Sequence, residues 1–131
     1  MGTQAVTATL PVELNFVLHP NRKIAYECSR DHPQHLKLRH GESLRFCSSN
    51  RFTIRFLEES PFWPDRKDTF LEPRRHGSRW EWTSSVRGDA ACKSYPYMVE
   101  LIKEGHLSVG VPEGVTVMED PEVIIVESGQ N

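Results

Sequence analysis

Long apolar runs are missing from this chain: nothing in its 131 residues approaches the roughly 20 consecutive apolar residues of a bilayer-spanning helix. Helical periodicity is also missing. No segment repeats apolar residues at 3.6-residue spacing, and the best helical candidate, within PFWPDRKDTFLE, is short. Charge of one sign is missing too. Sixteen Lys and Arg against 18 Asp and Glu leave a formal charge of -2, so no long-range field draws the whole protein to nucleic acid or to an anionic membrane. Cysteine is scarce, and the odd set Cys28, Cys47 and Cys92 argues for reduced thiols rather than a disulfide framework. The opening MGTQAVTATLPVELNF has neither a basic region nor a long apolar core, so no secretion signal is expected. Val6 stands where a myristoylation motif has Ser or Thr. The motifs G-x-S-x-G, H-E-x-x-H, G-x-x-x-x-G-K and G-x-G-x-x-G are absent. The expectation is a soluble, cytoplasmic protein that is not an enzyme.

What is present is alternation at the strand period. VELNFVL puts Val12, Leu14, Phe16 and Leu18 on one face, and IAYEC does so with Ile24, Tyr26 and Cys28. Leu36 with Leu38, Leu44 with Phe46, and Phe52, Ile54 and Phe56 continue the pattern. Trp80 with Trp82, then Tyr95, Tyr97, Val99 and Leu101, then Val115 with Val117 follow, and EVIIV closes as a run covered on both faces. The turn signals HPN, HGES, SSN, RGDA, KEG and PEG separate these runs. HGES reads as a hairpin turn in which Gly41 takes a positive φ. Eight or nine short strands at such spacing predict an all-β fold, a single antiparallel β-sandwich with Greek-key connections. One domain over 1–131 is expected, with an ordered core at about 10–127. The stretch from Leu57 to Ser78 lacks alternation and holds Pro61, Pro64 and Pro73. It reads as a partly ordered crossover or a functional loop.

The order of LKLRHGESLRFCSSNRFTIRF, then ESPF, a long crossover, YPYMVEL and DPEVIIV resembles the cupredoxin-like β-sandwich proteins. The likeness is to small bacterial members without a copper centre and spans about Leu36 to Val126; immunoglobulin-like sandwiches are the near alternative. The resemblance implies that a copper-bearing member would have a His shortly after the strand ending near Asn50, where this chain has Arg51 and Phe52. It also implies a Cys, a His and a Met in one late loop, where CKSYPYM has Cys92 and Met98 with no His between them. Two imidazoles and a thiolate are the least such a site needs. No blue-copper site and no cofactor are therefore expected.

The expected role is a non-catalytic binding or accessory module whose partner is another protein, with no membrane partner and nucleic acid disfavoured. Phe62, Trp63, Arg74, Arg75 and Arg79 are the candidate partner-binding residues, since Arg and aromatic side chains carry much interface energy. Phe62 and Trp63 can equally fold back to cap an open end of the core. An alternative is a metal-binding or electron-transfer protein using Cys28, His32 and His35 in CSRDHPQHLKLRH. His40 is excluded from that set, because a strand from His35 separates the two by about 15 Å at ~3.3 Å per residue. A second alternative is weak nucleic-acid binding through PRRHGSRWEW, whose arginines interleave with Trp80 and Trp82.

Overall fold

The computed structural model describes residues 10–21, 23–103 and 115–127, and these form an all-β sandwich of two sheets with no helix among them. The strands are β1 (Val12–Leu18), β2 (Ile24–Cys28), β3 (His35–Arg39), β4 (Ser43–Ser48), β5 (Arg51–Phe56), β6 (Phe70–Leu71), β7 (Arg74–His76), β8 (Arg79–Ser85), β9 (Ser94–Lys103), β10 (Val115–Glu119) and β11 (Glu122–Val126). The first sheet runs β2-β1-β4-β8-β7; the second runs β3-β11-β9-β5-β6, with β10 also paired to β9.

Nine of these strands are the alternating runs of the sequence. Their apolar sets face one another across a core that includes Leu14, Phe16, Leu36, Leu38, Leu44, Phe52, Ile54, Val99, Leu101 and Val123. Phe46 is its aromatic hub, with ring centroids 5.7 Å from Phe16, 5.5 Å from Tyr97 and 5.7 Å from Trp82. EVIIV alternates, with Val123 and Ile125 buried and Ile124 half-buried.

The pairing differs from the expected one in two respects. Both sheets are mixed, because β1 lies parallel to β4 and β3 parallel to β11. In addition, the HGES and SSN turns do not close hairpins. Arg39–Glu42 is a tight turn, with the Glu42 N–H donating to the Arg39 carbonyl at 3.1 Å and Gly41 at φ 83°. It carries the chain from the second sheet into the first, and Ser49–Asn50 carries it back. Alternation explains the difference: it records which face of a strand is buried, and a neighbour across the core satisfies it as well as a neighbour in the sheet.

β10 and β11 form one ribbon along β9. Val115 pairs with Lys103, Glu119 with Val99 and Glu122 with Pro96, so the register runs unbroken through Asp120–Pro121. The Tyr97 N–H donates to the Pro121 carbonyl at 2.9 Å, which keeps the ladder closed where proline has no N–H to give.

The long crossover is ordered and closes one side of the sandwich. It contains β6 and β7, strands too short for alternation to reveal. Before them, Phe62 bridges Val86, the Trp63 N–H donates to the Ser85 carbonyl at 2.9 Å, and the Arg87 N–H donates to the Pro61 carbonyl at 2.8 Å. Phe62 is thereby driven into the core, its ring 5.2 Å from Trp82 and 5.9 Å from Phe56.

Candidate anion-binding corner

Trp80 is the second residue of β8, directly after the His76–Arg79 turn. Gly77 takes φ 65° there and Ser78 follows, a two-residue hairpin with glycine in the first central position. The hairpin sets Arg75 opposite Trp80 in the β7–β8 register. β5 begins across the sandwich with Arg51, whose guanidinium lies 5.6 Å from the Trp80 ring centroid, while that of Arg75 lies at 6.0 Å. Two cations from different sheets thus share one indole, whose electron-rich face attracts both. Around them lies a recess of about 190 Å³, lined by Ser49, Asn50, Arg51, Arg75, Ser78, Trp80 and Ile102. None of these lining residues is a carboxylate. Farther along β5, Arg55 repeats the motif over Phe70 of β6 at 5.2 Å.

The predicted contact residues separate. Arg75 belongs to this recess. Arg74 is exposed on the other face of β7, opposite Glu81 in the register, and lies outside the recess lining. Arg79 is engaged in ion pairs with Glu13, at 3.3 Å, and with Glu81. Glu13 also meets Arg45 at 3.4 Å, and the hydrogen bond from Arg79 is the first cause that holds the Glu13 carboxyl below its ordinary pKa. Phe62 corrects the expectation of a surface anchor: it is 1% exposed and serves as a core plug, because the strand-like pairing of 61–63 turns its ring inward. Trp63, its neighbour, is 64% exposed but sits by Ser84 and Ser85 at the far end of β8 from Trp80. Arg51 was missed as a site residue, because no local pattern announces that it meets Trp80 across the fold.

Cys28, His32 and His35 do not converge. Among the described residues no group of three or more His, Cys, Asp or Glu is arranged to hold a metal ion. Cys28 packs against the core from the inner face of β2, whereas His35 points outward and donates through Nδ1 to Glu122 at 2.7 Å. His32 sits in the turn between them at φ 56°. His40 donates through Nε2 to the Ala90 carbonyl at 2.7 Å. Cys92 and Arg51 lie toward opposite ends of β9, since Arg51 pairs with Ile102 while Cys92 precedes Ser94, so the two stretches compared with a copper site do not meet.

The CSRDHPQHLKLRH stretch instead protects an edge. β3 is the last strand of its sheet, and its open side is filled by side chains. Arg30 donates to the Lys37 carbonyl at 3.0 Å and pairs with Glu42, which accepts the Arg39 N–H at 2.7 Å. These bonds occupy places that a neighbouring strand would otherwise take. The hydrogen bond from Arg30 is the main cause that lowers the Glu42 pKa. The groove beside this edge, about 500 Å³, mixes Arg30, Lys37 and Arg39 with Asp31 and Glu42 and so lacks the single sign of the Trp80 corner.

A second latch joins the sheets at their other side. Glu119 of β10 accepts the Ile24 N–H at 2.9 Å and the Tyr26 hydroxyl at 2.8 Å. Burial first, and then Glu119, raises the Tyr26 pKa and keeps the phenol protonated. In comparisons with known proteins, no family model matches the chain and no curated protein matches it.

Proposed function

We propose that this chain is a non-catalytic binding module that captures an acidic segment of another protein at the Arg51–Trp80–Arg75 corner. The observation that carries the reading is two guanidiniums from opposite sheets around one recess with no carboxylate among its described lining residues. Arg and Trp are the residue types that most often dominate binding energy. The shifted carboxyls of Glu13, Glu42 and Glu122 all belong to ion pairs on the sandwich surface, which suits a scaffold better than a reaction centre. A cupredoxin-like sandwich without copper would serve here as a scaffold whose binding role needs no metal.

The test is binding of fluorescent peptides rich in Asp and Glu to the protein and to an Arg51→Glu/Arg75→Glu variant. The protein binds them, more weakly as salt rises, and the variant loses binding by about tenfold or more, or ~1.4 kcal/mol. Arg66→Glu, an exposed arginine near Trp63 and outside the recess, leaves it unchanged. Undiminished binding by the corner variant refutes the proposal.

A further inference from the structure

The corner's size and donor set define its ligand more narrowly, on the reading that it binds anions. A recess of about 190 Å³ falls below the roughly 300 Å³ at which ordinary small-molecule sites begin. It accepts one compact group rather than a nucleotide or a whole metabolite. Arg75 directs Nε to the Gly77 carbonyl at 3.3 Å, which leaves its two terminal amino groups for a ligand. Arg51 adds a second guanidinium, Ser49 and Ser78 bring hydroxyls, and Asn50 brings an amide.

Charge and valence then select among anions. A carboxylate has two oxygens and a single negative charge. A phosphate monoester has three terminal oxygens and about -1.5 to -2 charges at neutral pH, which balances two guanidiniums and can engage both at once. The Trp80 ring is already engaged by both arginines, so it is not offered to a nucleobase as a stacking platform. We infer that the Arg51–Trp80–Arg75 corner receives the phosphoryl group of a phosphorylated serine or threonine in a partner protein.

The test uses three matched peptide libraries of degenerate sequence, each with one fixed central residue: phosphoserine, glutamate or serine. Inorganic phosphate and an oligothymidylate are the competitors. The phosphoserine library binds at least about tenfold more tightly than the glutamate library, and inorganic phosphate displaces it. Arg51→Gln and Arg75→Gln each weaken phosphoserine binding by a similar factor, and Arg66→Gln does not. Circular dichroism confirms that the variants are folded, and Arg51→Lys retains charge but loses the bidentate fork, so it falls between Gln and the native residue. Equal binding of the glutamate and phosphoserine libraries overturns this inference and leaves the acidic-segment reading standing. Binding of neither library overturns both. Retention of the oligothymidylate with no competition from the phosphoserine library also overturns both, in favour of single-stranded nucleic acid.

Discussion

Phe62 and Trp63 are adjacent aromatic residues whose truncation has very unequal expected effects on stability. Phe62 is 1% exposed and touches the rings of Phe46, Phe56 and Trp82, at 6.2, 5.9 and 5.2 Å between centroids. Burying a phenylalanine side chain contributes about 1.5–3 kcal/mol by transfer alone. A cavity left among rigid rings adds to the loss, so Phe62→Ala costs about 3–5 kcal/mol. That is about a fifth or more of a typical domain stability of ~5–15 kcal/mol. With a urea slope of about 1–3 kcal/mol per M, the unfolding midpoint falls by at least about 1 M. Trp63 is 64% exposed, and the bonds it makes to Ser84 and Ser85 use its main chain, which alanine retains. Trp63→Ala therefore stays within about 0.5 kcal/mol of the native chain. Urea melts followed by far-ultraviolet circular dichroism measure both changes. A Phe62→Ala cost below about 1.5 kcal/mol, or a Trp63→Ala cost as large as that of Phe62→Ala, refutes the assignment of Phe62 as the plug of the core.

Two further predictions concern titration and thiol chemistry. The Glu42 carboxyl is held below its ordinary pKa, so its contribution is fully present above the unfolded value near ~4.3 and is lost as pH falls through the lower folded value. Glu42→Gln should therefore lower stability at pH 7 by about 1 kcal/mol, a figure discounted for the partly exposed pair, and narrow the gap to the native chain in acid. Denaturation midpoints across pH 7 to 3 check this, and a gap that does not shrink in acid refutes it. Burial pushes the Cys47 thiol pKa up to about 12, while Cys92 is exposed. A disulfide reagent at mildly alkaline pH should modify Cys92 first, half-buried Cys28 more slowly, and Cys47 only on unfolding. Rapid labelling of Cys47 in the native protein contradicts this order.

Strand content was legible because each of nine runs carries its buried face in its own residues. Leu36 and Leu38 are buried in β3 and Phe52, Ile54 and Phe56 in β5, as alternation requires. β6 and β7 were not legible, since two and three residues are too few to show a period of two and their pairing depends on β5 and β8. The separation of Cys28 from His35 was equally hidden. Their nearness in sequence says nothing about whether one side chain turns into the core while the other turns to solvent.

By itself, then, the sequence determined the all-β class, most strand positions and most of the core residues, because burial of one strand face is a local signal with a fixed spacing. Only the tertiary structure decided which strands are neighbours, that two pairs run parallel, and that HGES and SSN cross between sheets. It alone placed Arg51 and Arg75 around Trp80, turned Phe62 inward, and laid Arg30 and Glu42 along the edge of β3. Those contacts join residues far apart in the chain, and the free energy that selects them comes from burial and charge pairing summed over the whole fold.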